Sequence, residues 1–316
     1  MSERQTKSLS PDDAGLSEAA QVLRAGGLVS FATETVYGLG ADATNDKAVA
    51  RIFAAKGRPQ FNPLIAHVAD IAMAKRYVDW SDAADLLANA FWPGPLTLVL
   101  PLKSQSAISS LVTAGLSSLA VRLPAHPLAR RLLREFGGPI AAPSANPSGK
   151  ISPTTPAHVL AGLSGKIDAV VAGGNCEVGL ESTIVGLLGQ PSLLRSGGVP
   201  MVAIEAVLGT ALTADTSPDT LIAPGQMSSH YAPGATVRLN ATVWQEGELR
   251  LGFGDVDCDL NLSPSGDLVE AAAHLFQHLH ALDARGSDKI AVSPIPNTGL
   301  GVAINDRLDR AAAPRL

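Results

Sequence analysis

The chain has 316 residues, 46% hydrophobic and 17% charged, which is too apolar for disorder and long enough for two globular units of unequal size. Its net charge of -5 argues against a broad nucleic-acid coat. Two isolated cysteines, Cys176 and Cys258, suggest neither a disulfide framework nor zinc; a polar start and no long apolar run leave a cytoplasmic protein without a membrane span as the expectation. In chain order, Ser17 reads as the N-cap of a helix that ends at Gly26 and Gly27, and LVSFAT follows as a buried strand. Val49, Ile52 and Phe53 give the next helix one apolar face. Strands are expected at PLIAHV, LTLVLP, LAVRLP, PIAAP, IDAVVAG and STIVGL, with helices over 81–91, 126–136 and 155–163. This alternation favours a sheet covered by helices. The pattern lapses between Gly209 and Pro233, a Pro-, Ser- and Thr-rich connector, and resumes with strands near TVRLN, LRLGFG and KIAVSP and helices over 268–282 and from Leu300 onward.

Chemistry-bearing residues gather in loops that follow apolar runs. Thr33 to Gly40 offers hydroxyls, a carboxylate and glycines, and Lys56 and Arg58 stand two positions apart just beyond a helix. Pro143 to Gly149 adds small hydroxyl and amide groups. Gly38 to Ala43 fits a loose dinucleotide fingerprint, a weak signal alone. Arg122 lies inside an apolar strand, so it either pairs with a protein carboxylate or awaits an anionic ligand. His67 reads as a core histidine, and His274, His278 and His280 lack a third metal ligand. The loops supply cations and hydroxyls without a nucleophile-base pair. They point to an anion or nucleotide site that works by positioning and charge stabilisation.

The blocks FATETVYGLGADA, KGRPQFNPLIAHV, FWPGPLTLVLP, LAVRLPAHP, APSANPSGKISPT, GLESTIVGL and LLRSGGV, in this order, closely resemble the YrdC-like family over residues 14–200. The segments SSHYAPG and GSDKIAVSPIPNTGLGVAINDRLDRAA resemble the extra domain of its longer members, the two-domain L-threonylcarbamoyladenylate synthases. The resemblance implies a twisted open α/β sheet with a concave central cavity over 14–200. It also implies a helix and linker over the active site at 201–234 and a small Rossmann-like α/β domain at 235–316. The implied reaction joins L-threonine, bicarbonate or carbon dioxide, and ATP, with Mg2+, into threonylcarbamoyl-AMP and pyrophosphate, the product passing to the tRNA threonylcarbamoyl-transfer machinery. By resemblance, Lys56 and Arg58 are the expected catalytic cations. Arg58, Asn62, Ser118, Ser144, Asn146, Ser152, Arg195 and Tyr231 are the expected ATP contacts. Thr35, His67, Arg122, Ser182 and, through its backbone, Ala142 are the expected threonine contacts. No protein-bound metal is expected. A non-catalytic RNA-binding protein is the competing reading, and direct tRNA binding and oligomeric state stay open.

Overall fold

A computed structural model describes residues 5–214 and 230–314, so residues 215–229 of the expected linker lie outside the described residues. The first part of the chain builds an eleven-stranded mixed sheet. In chain order its strands are β1 (Lys7–Leu9), β2 (Val29–Ala32), β3 (Tyr37–Asp42), β4 (Ile65–His67), β5 (Leu96–Pro101) and β6 (Ser118–Arg122). They are followed by β7 (Ile140–Ala141), β8 (Ala169–Val171), β9 (Thr183–Gly186), β10 (Ser192–Arg195) and β11 (Thr213–Ala214). Across the sheet they run β1-β8-β2-β3-β7-β4-β6-β5-β9-β10-β11. A second, fully parallel sheet contains β12 (Thr236–Arg238), β13 (Leu249–Gly252), β14 (Leu260–Asn261) and β15 (Lys289–Val292) in the order β12-β15-β13-β14.

Helices α1 (Asp13–Arg24), α2 (Asp46–Lys56), α3 (Ile71–Tyr77), α4 (Asp82–Phe91), α5 (Ser110–Thr113), α6 (Pro127–Phe136), α7 (Pro156–Leu163) and α8 (Met201–Leu208) accompany the large sheet. The small sheet is served by α9 (Leu268–Asp283) and α10 (Leu300–Ala312). In α6, Leu128, Ala129, Leu132 and Leu133 are buried while Arg131 and Arg134 stay exposed, so a single apolar stripe seats the helix. Each buried Leu contributes about 1.5–3 kcal/mol over an exposed one.

Strand alternation divides the large sheet into a core face and a functional face. Ala66, Leu98, Leu100, Leu119, Val121 and Val185 point into the main core. Their neighbours in sequence, Ile65, Val99, Ala120 and Ile184, form a small separate cluster with Leu194 on the other side. By the same two-residue period, His67, Thr97, Ser118, Arg122 and Ser182 fall on that second face.

Three local expectations need correction. Asp12, not Ser17, caps α1, its carboxylate accepting from Gly15 N at 2.9 Å. Tyr37–Asp42, read as the end of a loop, is a strand antiparallel to β2. Gly40 answers a packing demand, since a Cβ there would approach Phe31 Cε1 to 2.8 Å and Ile140 Cγ2 to 2.9 Å, and the run is a strand rather than a strand-to-helix turn. Lys7–Leu9, hidden in the polar start, pairs with β8 and closes one sheet edge.

Candidate active site

The turn after β2 is held by its own hydroxyl. Thr33 Oγ1 donates to Val36 O at 2.6 Å and lies 2.8 Å from Thr35 Oγ1. This fixes Glu34 and Thr35 towards β6, where parallel register sets Arg122 beside His67 of β4. Arg122 donates to Glu34 Oε1 at 2.6 Å, to Thr35 Oγ1 at 3.0 Å and to Gly94 O at 3.2 Å. The partner that its apolar strand demands is therefore Glu34. The other Glu34 oxygen accepts from the N–H groups of Ala125 and His126, which lead into α6. Burial pushes this carboxyl upward, but Arg122 and the N–H donors outweigh it and hold the group below its ordinary value. His67 is driven to about 3 by burial and by the charge of Arg122, so its ring is neutral; its buried Nδ1 has no hydrogen-bond partner.

On the other side, β10 meets β9 through an irregularity at Leu193 and Arg195 that pairs Arg195 with Ile184. The Arg195 guanidinium donates to Ser182 O at 2.9 Å and Ser182 Oγ at 3.2 Å, and Ser182 Oγ lies 2.7 Å from Thr97 Oγ1. Burial lowers the Arg195 pKa, as it does that of Arg58, which falls to about 10. Arg58 is held by the carbonyls of Asn62 at 3.3 Å and Pro63 at 3.1 Å. The loop after β7 is tied to β3 by Leu39 N donating to Pro143 O and Ala145 N donating to Tyr37 O.

These groups converge on one cavity of about 50 Å³. Thr35, His67, Arg122, Ala142 and Ser182 line it, and so do Arg58, Ser144, Arg195 and Tyr231. Five expected site residues are buried but do not line it. Lys56 Nζ donates to Ser144 O at 2.6 Å and to Asn146 O, pinning the loop from behind; burial, with Arg58 nearby, drives its pKa well down. The Asn146 amide donates to Pro147 O and Lys150 O within that loop. Ser118 starts β6, Asn62 carries the carbonyl that receives Arg58, and Ser152 donates to Glu181 at 2.6 Å. Thr33, Glu181 and His230 line the cavity although they were not among the expected contacts. Glu181 stands next to Ser182 in the quoted GLESTIVGL block, and the two-residue strand period was the signal available for the functional face.

Chemically, the cavity offers three arginines, several hydroxyls, two neutral imidazoles in His67 and His230, and the Glu181 carboxylate. Among the described residues no hydroxyl of its wall hydrogen-bonds a histidine, so the arrangement is one that binds and orients anions. Also among the described residues, no group of three His, Cys, Asp or Glu is placed to hold a metal ion. No helix there is long and apolar enough to cross a membrane.

A mixed α/β sheet whose functional face ends in an arginine-lined cavity defines a protein of YrdC-like fold with a site suited to anions. Two family profiles match in tandem: "Telomere recombination" over residues 21–197 and "Threonylcarbamoyl-AMP synthase, C-terminal domain" over residues 199–313. The chain belongs to the Sua5/YciO/YrdC family. It is 42% identical to the threonylcarbamoyl-AMP synthase of Pyrococcus abyssi, with 94% of each chain covered, and 41% identical to that of Bacillus subtilis, covering 98% of this chain and 96% of the relative. The crystal structure of P. abyssi Sua5 complexed with L-threonine superposes with a TM-score of 0.89, 38% identity and 97% of each chain covered. Escherichia coli YciO, at 22% identity and a TM-score of 0.55, shares the fold of the larger part.

Proposed function

We propose that the protein is a threonylcarbamoyl-AMP synthase, acting as a nucleotidyltransferase on L-threonine, bicarbonate and ATP. The observation that carries this reading is the convergence of Arg58, Arg122 and Arg195 on one cavity, in a chain that matches such synthases nearly end to end. The catalytic reading is favoured over RNA binding without chemistry, because these cations face an interior space fitted to small anions.

Thr35, His67, Arg122 and Ser182, with the Ala142 backbone, receive threonine, and neutral His67 tolerates its ammonium or carbamate nitrogen. Arg58, Ser144 and Arg195 receive the triphosphate, with Tyr231 against the nucleotide. Lys56 and Asn146 act through the loop they hold, and Asn62 through the carbonyl that orients Arg58. Ser118 and Ser152 support the wall from behind. Threonine's amine and bicarbonate give N-carboxythreonine with loss of water. A carbamate oxygen then attacks the α-phosphorus of ATP, the bond to the bridging oxygen breaks, and pyrophosphate leaves. Both reactants are anionic, so fixed arginines offset their repulsion without reorganisation. Mg2+ enters as part of the nucleotide substrate.

Residues 14–200 form the catalytic part in this reading, 201–234 the helix and linker, and 235–316 the small second domain. A cavity of about 50 Å³ is far below the roughly 300–1,000 Å³ of ordinary ligand pockets, so Tyr231 and its neighbours withdraw to admit both substrates. The product would then pass to the machinery that transfers threonylcarbamoyl to tRNA. Pyrophosphate release from ATP by the full chain, without RNA, is expected to require both threonine and bicarbonate. Release that ignores either one contradicts the reading.

A further inference from the structure

Among the described residues Glu181 is the one carboxylate in the cavity wall, 6% exposed and directly before Ser182. One of its oxygens accepts from Ser152 Oγ at 2.6 Å. The other accepts from Nε of Arg307 at 3.0 Å, and Arg307 belongs to α10 of the second domain. Arg307 is fully buried. Its Nη1 donates to Asp306 Oδ2 at 2.7 Å, and its guanidinium lies 5.4 Å from the centre of the Tyr231 ring. Tyr231 in turn packs against Phe276 of α9, ring centres 5.5 Å apart. The helix period explains the position: Ile304, Arg307, Leu308 and Ala311 all lie on the buried face of α10. An arginine there is a poor choice for docking alone, since well-packed apolar residues commonly replace buried ion pairs without loss of stability.

What the ion pair does supply is charge balance. Of the two carboxylates in or beside the cavity wall, Glu34 is ion-paired within the first domain by Arg122, and Glu181 is ion-paired from outside it by Arg307, with Arg195 of the wall attracting it more weakly. A bare carboxylate at this wall would repel an incoming triphosphate in a medium that screens poorly. We propose that Arg307 is a positioning residue for the synthase reaction, contributed by the second domain, which neutralises Glu181 and so keeps the cavity receptive to ATP. The second domain then completes the charge balance of the site.

This inference rests on the synthase reading, and the test separates the two. Kinetics of pyrophosphate release are measured on the full chain for the unaltered protein, Arg307→Met, and the double variant Glu181→Gln with Arg307→Met, with melting midpoints alongside. An unaltered protein without threonine- and bicarbonate-dependent turnover defeats the synthase reading itself. With that turnover present, Arg307→Met is expected to raise KM for ATP about tenfold or more while KM for threonine moves less than about threefold. The double variant, which leaves no charge unpaired at Glu181, is expected to return KM for ATP to within about threefold of the starting value. Arg307→Met with an unchanged KM for ATP overturns the proposal. So does a folded double variant that keeps the raised KM, because purely structural damage is not relieved by removing a second charge. If Arg307→Met does not fold, the double variant decides alone by the same threefold limit. A double variant that also fails to fold assigns Arg307 to docking and overturns the proposal.

Discussion

Lys56 and Arg58 stand two residues apart and their environments separate their tasks. Lys56 shares the buried face of α2 with Val49, Ile52 and Phe53, so the helical period that seats the helix also carries its ammonium stem inward to the loop carbonyls. Arg58 follows Gly57, whose left-handed backbone at φ 62° ends the helix and turns the chain towards the cavity. Arg58→Ala is expected to lower turnover a hundredfold or more, about 3 kcal/mol of transition-state stabilisation, and to lower the melting midpoint as well, since the Asn62 and Pro63 carbonyls lose their guanidinium donor. Near-normal turnover would remove Arg58 from the reaction. Lys56→Met leaves two carbonyls without their donor, each costing about 1–3 kcal/mol, so a lower melting midpoint should accompany its loss of activity. A variant that loses activity at full stability would instead place Lys56 among the groups that touch substrate.

Histidine burial sets a pH dependence. His67 and His230 are each driven to about 3, burial being the main cause, against 6.5 in an unfolded chain. Between those values the unfolded state binds protons that the folded state does not, so stability falls as pH drops from about 6.5 towards 3, by up to about 1.4 kcal/mol per pH unit for each ring. Glu34 and Glu181 act in the same direction below the ordinary carboxylate range, because both are held low when folded. Melting midpoints between pH 7 and pH 5 should therefore decline, and His67→Asn should flatten the decline. A midpoint that rises on acidification would contradict the burial of these rings.

At the level of elements, most of the functional face is written in the strand period. Apolar runs such as PLIAHV and LAVRLP marked β4 and β6, and alternation within them puts His67 and Arg122 on one side. What one sequence hides is pairing between distant segments. β1 has only three residues and owes its existence to β8, more than 150 positions away. Glu34 lay in plain view in the TETVYG run, but its choice of Arg122 depends on the β2-β3 turn meeting β6. Arg307 was hidden for the same reason: its helix was expected, whereas its partner Glu181 lies 126 residues earlier. The seam between the two parts of the chain gives another test. Gly179 has φ 72°, and a Cβ there would come within 2.4 Å of Ala272 O and 2.6 Å of Ala273 Cα in α9. Gly179→Ala is expected to lower the melting midpoint of the full chain, through backbone strain of about 1–2 kcal/mol plus the forced parting of the seam. Unchanged calorimetric melting would show that α9 does not pack there.

The whole molecule places two apolar cores on either side of a charged hollow. The second core draws in Val36, Ile151 and Leu180 from the first part of the chain and Tyr231 from the linker, so its packing reaches the cavity wall directly. His280 of α9 stacks on His158 of α7 at 3.9 Å and approaches Ser152 O at 3.2 Å. Closing such a hollow excludes water and strengthens every charge inside it, which suits a reaction between two anions. The most direct measurement supplies carbon-13 bicarbonate, threonine and ATP to the full chain and follows the products by mass spectrometry. The account predicts a threonine-containing adenylate bearing one labelled carbon, formed in equal amount with pyrophosphate. An unlabelled adenylate, or pyrophosphate without one, would contradict it.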